Sequence, residues 1–396
     1  MSVSVDSIEG LGHPLAFKFA DGTARPGVLG TSPSRDVIKI ESRQLATHQK
    51  EGIATEGETG SAWRLTTDED GHLRGTDLAP FPLGYFNAGL HADLANRIVT
   101  LAAQRSIDIS GMAMDLDTGY FMTGSFFKGT GEGYAEPANI DVSFASTSPT
   151  DVLHKLVSDA VIASPAFALM RKPLRNTFAI YVNGRRRKVT TMLESGSQDA
   201  IDPYVTYSSA PSPLADADTF PDLVYKTGQK SDGVSEVAPG DMTTRQIRPV
   251  IGRSALIDPG GATETDVVLG IPGASNFAMK SDERPSSDMA PSGLALLSAG
   301  VAFCYMTQMS RYIEYQKMAI RGIRLVQHIP FTLDVQGDQL IGGAEPADTH
   351  LFLSGDEDGE TFERLMKIAE RTCYLHKTMS DALEPTVKVT NLRTGA

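Results

Sequence analysis

The side chains best equipped for chemistry in this 396-residue chain are its two cysteines, Cys304 and Cys373. A single cysteine in an apolar helix is most simply a small, inert hydrophobe. Here the whole complement falls in two helical stretches of one half, able to face each other across a domain. A thiolate paired with a second thiol is the minimum equipment for two-electron reduction of a peroxide. One sulfur attacks oxygen and becomes a sulfenic acid, and the other condenses with it to a disulfide. Two cysteines in so long a chain do not make a structural disulfide framework. In a reducing compartment, a disulfide that forms is catalytic or regulatory.

Other polar side chains could assist. His376 follows Cys373 by three residues, one helical step onto the same face, although a lone helical histidine also fits a surface or cap position. His91 and Asp93 lie on a stretch that should be a buried helix, where an imidazole and a carboxylate are costly unless paired. Either they satisfy each other's neighbours between the two halves, or they lend acid/base chemistry to a shared site. A Cys–His–Asp set would suit nucleophilic hydrolysis on a carbonyl. Activating a thiol needs nearby positive charge, for which Arg253 and Arg284 in the second half, or Arg43 and Arg64 in the first, are candidates. No His/Cys cluster has metal-ligand spacing, and the Gly-rich run at 129–133 lacks the ending of a P-loop. Asp356-Glu357-Asp358 reads as an acidic helix start. No metal or bound cofactor is expected.

The elements that must hold these groups occur twice. Ala135-Glu136-Pro137-Ala138 reappears as Ala344-Glu345-Pro346-Ala347, 209 residues on, and Asp77-Leu78-Ala79-Pro80 as Asp288-Met289-Ala290-Pro291, 211 residues on. Leu156 and Leu365, Met170 and Met379, and Gly111 and Gly322 keep these offsets. Several blocks in register mark an internal duplication. Each copy reads as α+β: β-rich segments such as 61–67 and 276–281, a long helix at 83–104 and 294–318, alternating strands, a second helix at 150–170 and 359–379, and a closing strand at 178–182 and 386–389. The second long helix is apolar almost all round, the mark of a buried central helix. The pattern divides the chain into a cysteine-free unit at 1–206, a Pro-containing linker at 207–224 and a unit at 225–396 that carries both cysteines.

Composition limits the partners. Thirty-six basic against 49 acidic side chains give a formal charge of −13, which argues against nucleic-acid binding. The basic run Arg185-Arg186-Arg187-Lys188 follows an Asn183-Gly184 turn signal and reads as a solvated hairpin edge. The N-terminal residues lack a signal-peptide pattern, and no stretch reaches the ~18 consecutive apolar residues of a membrane span. A cytoplasmic setting is the simplest expectation.

The run from Leu296 to Cys304, rich in small residues, resembles the helix leading to the reactive cysteine of OsmC/Ohr proteins, and the run from Leu365 to Cys373 resembles the helix carrying their resolving cysteine. Ser148-Pro149 and Ala163-Ser164-Pro165 in the first copy are similar to the same family. The resemblance spans about 61–190 and 245–388. It implies a hydroperoxide reductase fold in which antiparallel sheets from two intertwined units wrap central helices, with sites at their interface. One chain would then fold as an internal pseudo-dimer, able to pair further as a homodimer, with Cys304 as nucleophile, Cys373 as resolver and an external thiol or dithiol as reductant. In the first copy the equivalent positions hold Asp93 and Ser164, which excludes thiol chemistry there. The family's glutamate, one to two turns before the reactive cysteine, has no counterpart in Pro291-Ser292-Gly293-Leu294-Ala295. Three functions follow as expectations: reduction of organic, apolar hydroperoxides; a Cys304 hydrolase or lyase assisted by Asp93, His91 or His376; and a non-catalytic small-molecule binding protein.

Overall fold

Gly/Pro-punctuated β-rich segments, each followed by a long apolar run, set the order of elements in the computed structural model, which describes residues 6–233 and 247–393. A short helix α1 (Ile8–Leu11) precedes strands β1 (Ala16–Ala20), β2 (Ser34–Gln44), β3 (Lys50–Glu56) and β4 (Ala62–Thr67) and the long helix α2 (Pro82–Arg105). Then come β5 (Ala113–Thr123), β6 (Glu132–Ala135), β7 (Asn139–Phe144), α3 (Thr150–Ala163), α4 (Pro165–Arg171), β8 (Thr177–Val182) and β9 (Arg185–Arg187). The same order returns as β10 (Val224–Lys230), β11 (Arg248–Leu256), β12 (Thr263–Leu269), β13 (Ser275–Ser281), α5 (Gly293–Gln316), β14 (Ile320–Gln336), β15 (Gln339–Ala344), β16 (Asp348–Gly355), α6 (Gly359–Thr372), α7 (Tyr374–Ser380) and β17 (Thr386–Asn391). The start of the family-like stretch at Arg245, the first five residues and the last three lie outside the described residues.

Two sheets flank the long helices. One runs β1-β4-β3-β2-β14-β16-β8-β9, with β15 on β14, and the other runs β10-β13-β12-β11-β5-β7-β17, with β6 on β5. Each therefore joins strands that precede one long helix to strands that follow the other, through the antiparallel ladders β2–β14 and β11–β5. Both sheets are antiparallel-rich, as expected, with two parallel pairings, β8 on β16 and β17 on β7. Both strands enter after a helical crossover, beside a strand that is not their sequence neighbour, so no hairpin forces reversal.

Helices α2 and α5 cross at their glycines. A Cβ on Gly89 would lie 2.5 Å from the Gly293 carbonyl oxygen, and one on Gly300 would lie 2.7 Å from the Phe86 nitrogen. Absence of side chains there lets the backbones touch. Helix α5 is apolar enough to cross a membrane by composition, yet its most apolar window is wholly buried inside the protein.

The second helix of each half, expected to be continuous, is broken instead. Ser164 (φ −79°, ψ 115°) separates α3 from α4, and Cys373 (φ −74°, ψ 113°) separates α6 from α7. Pro165 accounts for the first break, since proline lacks an amide hydrogen and pushes its predecessor out of the helical region. The Ser164 hydroxyl then caps α4 by accepting from the Phe167 amide at 3.0 Å. No proline follows Cys373, so that break comes from tertiary packing.

Candidate active site

Cys304 sits mid-helix in α5 and Cys373 at the α6–α7 break; both are buried and free of disulfides. The two side chains lie close enough for Cys304 to act on the Cys373 thiol. Burial pushes the Cys373 thiol well above its ordinary range, and the neighbouring Cys304 adds to the effect, opposed by the backbone amides of His376 and Leu375.

Cys304 opens onto a narrow cleft lined from both halves of the chain. The first half contributes Glu69, Asp70, His72 and the apolar Leu73, Phe81 and Leu83; the second adds Arg248, Leu269, Ile271, Thr307, Gln308, Arg311 and Tyr374. Thr307, one turn beyond Cys304, donates its hydroxyl to Glu69 at 2.7 Å. Burial raises the Glu69 carboxyl, with Lys50, Thr307 and Arg311 opposing. Arg248 donates to the Tyr374 hydroxyl at 2.6 Å, and the Arg311 guanidinium lies 4.4 Å over the Phe126 ring. Burial lowers Arg311 while Glu69, Tyr374 and a charged Cys304 counteract it.

None of the arginines proposed from sequence lines this cleft. Arg64 donates to Glu51 and to the Pro14 carbonyl, each at 2.9 Å. Arg43 is held by Glu51 at 2.7 Å and Asp6 at 2.8 Å. Arg253 is an exposed partner of Asp115, and Arg284 is bound by Asp282 and Asp258. All four are engaged by carboxylates. The cations that face Cys304 are Arg311, Arg248 and Lys50. Arg311 was legible in principle, seven residues after Cys304 and so two turns along the same helix face. Lys50 and Arg248 were not, since strand packing alone brings them here. The carboxyl missing from 291–295 is likewise supplied from the first half, by Glu69.

The assisting groups lie elsewhere. His376 is fully buried rather than at a surface or cap, its ring 4.8 Å from Tyr305 and 5.6 Å from Phe178. Burial holds it neutral, at about 3. His91 pairs with the Ser254 hydroxyl at 2.8 Å and is also driven down to about 3 by burial. Asp93 accepts from the Ser164 hydroxyl and, at 3.1 Å, from the Ala166 amide. The positions 211 residues before Cys304 and 209 before Cys373 are therefore bonded to each other, where the two cysteines lie close together. Arg97 lies 3.7 Å from Asp93, and the buried Glu283 faces the same group.

Residues 286–388 match the family of OsmC-like proteins, a span that contains both cysteines. The chain therefore carries an OsmC-like domain there. A solved OsmC-like hydroperoxide resistance protein from Jannaschia sp. CCS1 is 22% identical, over 34% of this chain and 85% of its own, with a TM-score of 0.23. A superposition so partial carries no weight of its own. No curated protein matches the chain.

Proposed function

We propose that this protein reduces organic hydroperoxides, with Cys304 as nucleophile, Cys373 as resolver and an external thiol or dithiol as reductant. The closeness of the two thiols, beneath a cleft that Arg248 and Arg311 face, carries the reading. The Cys304 thiolate displaces alkoxide from the peroxide and becomes a sulfenic acid. Cys373 attacks that sulfur, water leaves and the disulfide forms. Phe81, Leu83, Leu269 and Ile271 give the cleft an apolar wall suited to an organic substituent. The OsmC-like match over both cysteines agrees with this chemistry at family level.

The chain is read further as two fused units, 1–206 and 225–396 joined by 207–224, closed into a pseudo-dimer. Reciprocal strand exchange supports this: β1–β4, β8 and β9 join β14–β16 in one sheet, and β10–β13 and β17 join β5–β7 in the other.

A Cys304 hydrolase is the rival reading. It lacks a base among its expected helpers, because Asp93, His91 and His376 make their contacts elsewhere. Mass spectrometry after adding one equivalent of cumene hydroperoxide to the reduced protein separates the two. A Cys304–Cys373 disulfide that forms faster than with hydrogen peroxide is the expected result. Both thiols remaining reduced would overturn the peroxidase reading.

A further inference from the structure

Lys50 gives no hint of chemistry in the sequence, but its surroundings do. It opens β3, which packs against α5. Side chains two apart on a strand share a face, and a Cβ on Gly52 would lie 3.0 Å from the Phe303 ring. On the other side, His48 Nδ1 is 3.2 Å from the Ser310 hydroxyl. Lys50 therefore projects onto α5 between these contacts, toward the turn that holds Cys304 and Thr307.

Its side chain is wholly buried. Among the described residues, Nζ has a single hydrogen-bond acceptor, the His48 carbonyl at 2.5 Å, and no carboxylate at ion-pair distance. An ammonium carries three donors and calls for a counter-charge, whereas an amine with one N–H on a carbonyl needs neither. Burial lowers Lys50 accordingly. Glu69, Asp68 and a charged Cys304 work against the shift, and Arg311 works with it. Glu69 is itself raised by burial, Asp68 is taken up by the Thr76 and Leu78 amides and the Thr76 hydroxyl, and His48 stays neutral at about 4, so Cys304 is the group left to exchange a proton with Lys50.

We infer that Lys50 is the base for Cys304, taking the S–H proton as the thiolate forms and returning it to the leaving group. The first step converts a neutral thiol and amine into a thiolate and an ammonium with no net charge moved into the core. In the second, which rests on the peroxide reading above, the thiolate attacks the terminal oxygen and the O–O bond breaks. The sulfenic acid and an alkoxide result. The alkoxide takes the proton from the Lys50 ammonium, giving alcohol and restoring the amine.

The test uses the full chain with Cys373→Ser, so that Cys304 is the sole thiol. The rate of iodoacetamide alkylation is followed against pH with Lys50 intact and with Lys50→Met. Loss of the base should slow alkylation at pH 7 by about ten-fold or more and move the profile to higher pH. An unchanged profile in a folded Lys50→Met protein overturns the assignment. A second measurement needs no change at Lys50: with ε-13C-labelled lysine, one resonance should titrate below the others. It should move lower still once Cys304 is alkylated. A resonance indifferent to that alkylation also overturns the assignment. Neither readout involves peroxide. If peroxide is not reduced while the alkylation profile still depends on Lys50, the function reading falls and the base remains.

Discussion

Glu283→Gln should stabilise this protein, by an amount that grows with pH. Glu283 is fully buried beside Asp93, and neither carboxyl oxygen has a hydrogen-bond partner of good geometry. Burial, then the Asp93 charge, raises it from the usual 4.5 to about 8, against the opposing pull of Arg97 and Arg25. A carboxyl raised in the fold contributes its stability below the unfolded value and loses it as pH climbs through the folded one. Between pH 4.5 and 8 the unfolded chain has given up this proton while the folded chain still holds it. At pH 7 that difference amounts to about 3 kcal/mol, and above pH 8 to about 5 kcal/mol. Glutamine has the shape of the protonated acid and no proton to lose. Its advantage should be near zero at pH 4.5, and near pH 7 it should raise the melting temperature by about 4 °C for a chain of this length. Calorimetry of both proteins at pH 5, 7 and 8.5 measures this. A difference that stays flat with pH would mean that Glu283 is ionised in the fold, paired by Arg97 or Arg25, and the reasoning would be wrong.

Cys304→Ser should abolish hydroperoxide consumption, whereas Cys373→Ser should retain a single turnover ending in a sulfenic acid that dimedone traps; multiple unassisted turnovers of hydroperoxide without Cys373 would refute its role as resolver. The double change Asp93→Cys with Ser164→Cys should yield a second disulfide on mild oxidation, found by peptide mapping, because those side chains already touch. Two free thiols at those positions in the oxidised, folded protein would refute the equivalence. Gly89→Ala should cost more than about 2 kcal/mol in urea unfolding, since the new methyl would meet the Gly293 carbonyl at 2.5 Å and force the central helices apart. A loss below about 0.5 kcal/mol would show that the crossing is looser than the packing implies.

Much of the plan was legible because it rests on period and punctuation. The long helices at 83–104 and 294–318 fall within a few residues of Pro82–Arg105 and Gly293–Gln316, and the Asn183-Gly184 turn does lead into a short edge strand of arginines. What the sequence could not show depends on contacts between distant segments. The parallel pairings of β8 and β17 arise from crossovers, and the break at Cys373 has no proline to announce it. The same divide runs through the site. Cys304 and Cys373 stand out by type and helical setting, and Arg311 shares a helix face with Cys304. Glu69 and Lys50 reach α5 only because β3 and the segment after β4 pack on a helix more than 200 residues later. Arg64 and Arg253 were plausible by charge alone, but charge says nothing about which carboxylate claims it.

The two matched loci differ less in geometry than in what fills the space beside them. Gln308 lines the cleft over Cys304, and 211 residues earlier the chain has Arg97. That guanidinium is wholly buried and donates to the Gly30 carbonyl at 2.9 Å and to that of Val28. It brings a charge that Asp93 partly balances at 3.7 Å. A cysteine at 93 without a change at 97 would therefore sit next to a cation. Thiol reactivity requires access as well as nearby positive charge, and at Cys304 the cleft supplies the access while Arg248 and Arg311 supply the charge.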